Sequence, residues 1–131
     1  MTESPLLTGL RVLVVEDEAM VAMMIEDMLS DLGCVVMDVA GTVSRGVALA
    51  NDLDLALDGA ILDINLGGEK VYPVAEALAA RRVPFIFSTG YSAAGVVAKF
   101  AHVPILAKPY ERPELEHELI SAFVEGVRRT N

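Results

Sequence analysis

The sequence predicts an α/β fold, a five-stranded parallel sheet with helices on both faces, and three observations predict it. Strand-like and helix-like segments alternate five times along the chain. The first strand-like run, Arg11–Val15, is too continuously apolar to leave one face in water, as expected of a central strand covered on both sides. The notable polar residues each fall where an apolar run ends, and the carboxyl edge of such a sheet is where it keeps its chemistry.

At 131 residues the chain suits one domain, residues 10–130, behind a partly disordered lead-in at 1–9. Apolar side chains make up 53% of it, enough for a sizeable core, although Trp is absent. A net charge of -9 excludes a nucleic-acid surface, which needs a basic stripe, and an anionic membrane surface. Cys34 is the single cysteine, so no internal disulfide and no Cys/His metal cluster can form. A buried thiol in a reducing, cytoplasmic setting is the expectation. The N-terminus has no cationic signal-peptide region, and no apolar run is long enough to cross a membrane.

The elements follow in order. Arg11–Val15 is the first strand, ending at Glu16, Asp17 and Glu18. Residues 19–32 make the first helix, with Asp17 able to cap its start and Gly33 stopping it. Val21, Ile25, Met28 and Leu32 form its apolar stripe. Met20, Met23 and Met24 widen that arc, either for a broad contact with the sheet or as a soft exposed patch that docks a partner. Residues 35–40 are the second strand. The second helix runs from a cap at Thr42 or Ser44 to about Asn51. Residues 57–62 form the third strand, delivering Asp63 and followed by Gly67 and Gly68. The third helix spans 71–82, with Pro73 in its first turn. Phe85–Ser88 is the fourth strand, running into Thr89, Gly90 and Tyr91. Residues 92–102 hold at most one short helix. Ile105–Ala107 is the fifth strand, ending at Lys108-Pro109, a bond whose spacing raises the suspicion of a cis isomer. Residues 114–129 are the last helix, with Leu115, Leu119, Phe123 and Val127 buried and Arg128 and Arg129 at its C-terminal end.

Five strands in this arrangement fit the flavodoxin-like order 2-1-3-4-5. In that order the strand ends bring Glu16, Asp17, Asp63, Thr89 and Lys108 to one rim. Carboxylates so close repel, and at least one pKa is driven up. A divalent cation relieves the conflict. Mg²⁺ accepts oxygen ligands and keeps several waters, and the backbone carbonyl of Asn65 is a further candidate ligand. Lys108 offers a point charge for an anionic group, and Thr89 a hydroxyl. Carboxylate, cation, lysine and hydroxyl together make a phosphoryl-transfer site with Asp63 as nucleophile.

The set Glu16-Asp17, Asp63, Thr89 and Lys108-Pro109 resembles the receiver domain of two-component response regulators, over nearly the whole chain. Phe87-Ser88-Thr89-Gly90-Tyr91 is similar to an alphaproteobacterial single-domain subgroup with a Phe-Ala-Thr-Gly-Tyr signature, Ser88 standing for the Ala. The resemblance implies that Asp63 accepts a phosphoryl group from a phosphohistidine of a sensor kinase or phosphotransferase. It implies that Glu16, Asp17, Asp63 and the Asn65 carbonyl hold Mg²⁺, directly or through water, while Thr89 and Lys108 engage the phosphoryl oxygens. On this view the chain is no enzyme towards an external substrate: it catalyses its own phosphotransfer and slow autodephosphorylation. It has no effector domain, unless it is a piece of a hybrid kinase. It signals through an unknown downstream protein, or serves as a relay or phosphate sink.

Three departures from the family pattern stand out. Ile105 occupies the position of the usual aromatic switch residue, so Thr89 lacks its standard partner. Tyr91 is either a substitute mobile ring, a lid over the phosphoryl group or a surface tyrosine. The stretch from Thr89 to Lys108 is short, which weakens the usual dimer face and leads to a monomer or weak dimer. Gly67 replaces a common Pro, which is expected to loosen its loop. Ala19, Met20 and Met23, beside the rim, are the candidates for docking a helical partner. Two other functions compete. One is a phosphorylation-independent interaction module. The other is a Mg²⁺ phosphohydrolase, which wants an acid where Asn65 stands.

Overall fold

The computed structural model describes residues 4–90 and 96–125. Seven strands and four α-helices fall in these segments: β1 (Arg11–Val15), α1 (Ala19–Asp31), β2 (Val35–Ala40), α2 (Val43–Ala50), β3 (Gly59–Asp63), β4 (Asn65–Leu66), β5 (Glu69–Lys70), α3 (Tyr72–Ala80), β6 (Phe85–Thr89), β7 (Ile105–Ala107) and α4 (Arg112–Leu119). Five strands form one parallel sheet in the order β2-β1-β3-β6-β7, the expected 2-1-3-4-5 once the short β4–β5 pair is set aside. This is the flavodoxin-like topology.

The sheet separates two apolar layers. β1 shows why: Leu13 and Val15 pack into one layer, and Val12 and Val14 into the other, as the two-residue repeat of a strand demands. Ile25, Leu29, Leu115, Leu119 and Phe123 fill the layer under α1 and α4. Val74, Ala75 and Leu78 of α3 and Leu49 of α2 fill the other. Within that second layer Tyr72, Phe85, Phe87 and Phe100 form an aromatic cluster, with ring centroids 5.7–6.1 Å apart.

Several expectations need correction. The lead-in is packed from Ser4 onward: Leu7 is fully buried, and Gly9 N–H donates to the Gly33 carbonyl at 2.8 Å. Asp17 does not cap α1. Glu18 holds the N-cap position, without a side-chain bond, and the stripe of α1 centres on Ala22, Ile25 and Leu29. Of the two caps expected for α2, Thr42 serves, accepting from Arg45 N. The third strand begins at Gly59 because Asp58 is spent on Arg11, accepting from its backbone N–H at 2.8 Å and its Nε at 2.9 Å. The final helix starts at Arg112, because the Glu114 carboxylate takes the Glu111 N–H at 3.1 Å and Pro113 is tolerated in the first turn. It then widens into a π-helical turn over Ile120–Glu125. That turn lays Phe123 on the backbone of Gly59, where an added Cβ would stand 2.5 Å from the ring. Val127, Arg128 and Arg129 lie outside the described residues.

The loop expected to be loosened by Gly67 is instead a hairpin. β4 and β5 pair antiparallel, joined by Gly67 and Gly68 at φ +53° and +90°. Two successive positive φ values are what a tight two-residue hairpin requires, and glycine supplies them without strain. Between β6 and β7 the described residues hold one 3₁₀ turn, Ala98–Phe100, in keeping with the short element expected there.

Candidate functional site

The carboxyl ends of β1, β3, β6 and β7 meet at one rim, as parallel pairing requires. Glu16 and Asp17 follow β1, Asp63 ends β3, Thr89 ends β6, and Lys108 follows β7. The Lys108–Pro109 peptide is cis. Lys108 Nζ donates to Glu16 Oε1 at 2.6 Å and to Asp63 Oδ2 at 3.1 Å. The remaining carboxylate oxygens have partners too. Glu16 Oε2 accepts from Glu18 N at 3.1 Å, and Asp63 Oδ1 from Asn65 N at 3.2 Å. Asp17, exposed, accepts the Gly67 N–H at 3.0 Å and so fastens the hairpin to β1. The backbone N–H of Lys108 donates to the Thr89 carbonyl at 2.8 Å, locking the last two strand ends together.

An open cleft of about 470 Å³ lies over this cluster, lined by Asp17, Glu18, Asp63, Asn65, Gly67 and Lys108 among others. Asp63 is buried at the cleft, and Glu16, joined to it through Lys108, and Thr89 are buried as well. Glu16, Asp17 and Asp63 each offer an oxygen within 4.8 Å of the others. An all-oxygen donor set with net negative charge fits a hard divalent cation. Burial is the first cause raising the Glu16 pKa. Its bonds to Lys108 and Glu18 oppose the shift, and the nearby Asp63 charge adds to it. Repulsion was the expected cause; desolvation leads instead. For Lys108 burial works downward, but the hydrogen bonds and charges of Glu16 and Asp63 outweigh it, so the ammonium is held.

The rim therefore gathers Glu16, Asp17, Asp63, Asn65, Thr89 and Lys108, as the sequence led one to expect. Ile105 sits half-buried on β7 against the aromatic layer, paired in register with Phe87. Tyr91 lies outside the described residues. Ala19, Met20 and Met23 are exposed at the start of α1; Met20 is 78%, Met23 62% and Met24 57% accessible, so the methionines form a surface patch rather than a contact with the sheet. Two features escaped the sequence reading. One is the tie from Asp17 to Gly67, which the adjacent Gly pair could have signalled as a two-residue hairpin. The other is a pair of buried hydroxyls, on Ser88 and Tyr110, which no local pattern marks.

No family model matches the chain, and no curated protein matches it. Solved structures do. SdrG from Sphingomonas melonis Fr1, solved in solution, is 44% identical over 90% of this chain and 98% of its own, with a TM-score of 0.74. The signal receiver domain of a modulated diguanylate cyclase from Desulfovibrio desulfuricans G20 is 29% identical over 92% of this chain and 98% of its own, at 0.81. The receiver domain of sensor histidine kinase PA1611 from Pseudomonas aeruginosa PAO1 is 29% identical over 87% and 97%, at 0.73, with a magnesium ion coordinated in its active-site cleft. The chain belongs to the response-regulator receiver family. A second solution structure of SdrG, 44% identical, is of its BeF3-activated conformation. As a receiver, this chain keeps the rim residues that the family resemblance rests on: Glu16, Asp17, Asp63, Thr89 and Lys108.

Proposed function

We propose that this receiver takes a phosphoryl group onto Asp63 from a phosphohistidine of a sensor kinase or phosphotransferase, with Mg²⁺ as cofactor. The P–N bond of the donor breaks as a P–O bond to the Asp63 carboxylate forms, and the imidazole leaves the transferred group behind. The observation that carries the reading is the Lys108 ammonium bridging Glu16 and Asp63 at the floor of an open, acid-lined cleft. The magnesium ion in the PA1611 receiver and the BeF3-activated SdrG support it by analogy.

Glu16, Asp17, Asp63 and the Asn65 carbonyl would hold the cation, which screens the acids and draws charge from the phosphoryl oxygens. Lys108 would exchange a carboxylate for a phosphoryl oxygen, and Thr89, buried beside Asp63, would donate its hydroxyl. The chain acts as a phospho-acceptor rather than as an enzyme on an external substrate. Ala19, Met20 and Met23 are exposed on the helix that follows Glu18, which lines the cleft, and suit the apolar side of a helical donor.

The test is incubation with Mg²⁺ and a small acyl phosphate, read by intact mass. One added phosphoryl group is expected, abolished by Asp63→Asn and by chelation of the cation. Undiminished labelling of the Asn variant would refute the assignment of Asp63.

A further inference from the structure

Two hydroxyls lie in the apolar layer beneath the rim. β6 alternates, with Phe85 and Phe87 in the aromatic layer and Ile86 in the layer under α1 and α4. Ser88, two residues on from Ile86, stands on the same side. Tyr110 packs into that layer as well. Both residues are buried, and among the described residues neither Ser88 Oγ nor the Tyr110 hydroxyl has a hydrogen-bond partner. The two groups are nonetheless neighbours. Burial raises the Tyr110 pKa, and the Ser88 hydroxyl is the first influence opposing it, followed by the Lys108 charge. The Lys108 N–H, 2.8 Å from the Thr89 carbonyl, draws the two segments that carry them together.

Their positions along the chain give this pair its meaning. Ser88 is abreast of Asp63 in the β3–β6 ladder, and its carbonyl receives the N–H of Ile64 at 3.2 Å. It immediately precedes Thr89. Tyr110 lies two residues past Lys108, across the cis peptide. A bond between the hydroxyls would therefore join the strand end that carries Thr89 to the segment that carries Lys108. A buried hydroxyl left unpaired is costly, and each of these can both donate and accept. One bond removes both penalties at once.

We propose that Ser88 and Tyr110 are positioning residues: their hydroxyls close into a hydrogen-bonded latch that holds Lys108 in line with Asp63 for phosphoryl transfer. The proposal rests on the phospho-acceptor reading for its functional half and stands alone for its structural half. When Lys108 leaves Glu16 for a phosphoryl oxygen, the latch fixes the base of its side chain so that only the ammonium moves.

The test is a double-mutant cycle of Ser88→Ala, Tyr110→Phe and the pair, with Ser88→Thr as the variant that keeps a hydroxyl. The Ala and Phe variants each remove a single oxygen; Ser88→Thr keeps the hydroxyl but adds a methyl at a buried site, so its stability is read alongside its rate. Two readouts are taken on the full chain. In urea denaturation the two single losses should be non-additive, the double variant falling no further than the worse single one. In labelling by a small acyl phosphate at saturating Mg²⁺, each single variant should slow the rate at saturating donor about fivefold, with the half-saturating donor concentration unchanged. The double variant should be no slower than either, and Ser88→Thr should restore the rate. Additive losses in urea would overturn the latch itself. Coupling in urea with unaltered labelling rates would overturn its positioning role. A wild-type chain that takes no label at all would sink the phospho-acceptor reading and the positioning role with it, leaving the urea cycle to decide whether the latch exists.

Discussion

Replacing Lys108 by Met keeps the aliphatic stem and deletes the charge that two carboxylates share. Glu16 loses its bond at 2.6 Å and Asp63 its bond at 3.1 Å. The Glu16 side chain is only 1% exposed, so water cannot take the ammonium's place there, and breaking such a buried pair costs about 3–5 kcal/mol. Protonation sets a ceiling on that cost. Forcing a carboxyl of ordinary pKa 4.5 to stay neutral at pH 7 takes about 3.4 kcal/mol at 1.36 kcal/mol per unit, and at pH 5 about 0.7 kcal/mol. The Glu16 pKa is already raised in the folded protein, and the variant removes the Lys108 bond that restrains it. A raised pKa favours the fold below the unfolded value and costs stability as pH climbs through the folded one. Lys108→Met should thus destabilise by about 3 kcal/mol at pH 7 and by under about 1 kcal/mol at pH 5. Urea denaturation followed by circular dichroism at several pH values measures this. Mg²⁺ should restore more stability to the variant than to the wild type, because the cation replaces the missing positive charge. A penalty that stays constant between pH 5 and pH 7 would show that Glu16 is not the residue left stranded.

Gly59→Ala should destabilise by about 2–4 kcal/mol, since its Cβ would meet three Phe123 ring carbons at 2.5–2.7 Å, and Phe123→Leu in the same chain should recover part of the loss on thermal melting. Cys34 should resist thiol reagents in the native state at pH 8 and react on unfolding, because burial pushes its pKa to about 11 and leaves about one thiolate in a thousand. Its contribution to stability should hold below the unfolded value of 9.0 and fade as pH rises towards about 11, which an alkaline denaturation series would detect. Met20→Glu or Met23→Glu should slow phosphotransfer from a cognate histidine donor about tenfold while sparing labelling by a small acyl phosphate; equal losses in both assays would place the damage in the fold.

The parallel sheet and the rim were legible because both follow from periodicity and strand ends. An apolar run such as Val12–Val15 has few other uses, and parallel strands must bring Asp17, Asp63, Thr89 and Lys108 to one edge. What could not be read depended on partners distant in sequence. Asp17 looked like a helix cap until the Gly67 amide, 50 residues away, proved to be its partner. The π-helical turn of the last helix holds Phe123 against a glycine some sixty residues earlier in the chain. Ser88 counted as a minor departure from a signature, yet it stands in an apolar layer beside a second buried hydroxyl. Two local signals were misjudged: the Glu111–Glu114 cap that starts the last helix at Arg112, and the Gly67-Gly68 pair, since two adjacent glycines mean freedom in an open loop but specify a turn when the flanking residues pair.

The bond from Asp17 to Gly67 also gives the cleft a gauge. Asp17 holds the hairpin through one oxygen, so a cation taken by the same carboxylate would place ion binding and hairpin closure in one thermodynamic cycle. Whatever occupies the cleft in its closed form must deepen the free-energy well of the hairpin by the same amount that closure improves its own binding. Because the Gly67 amide donates to Asp17, the rate at which its proton exchanges with solvent would then measure how full the cleft is.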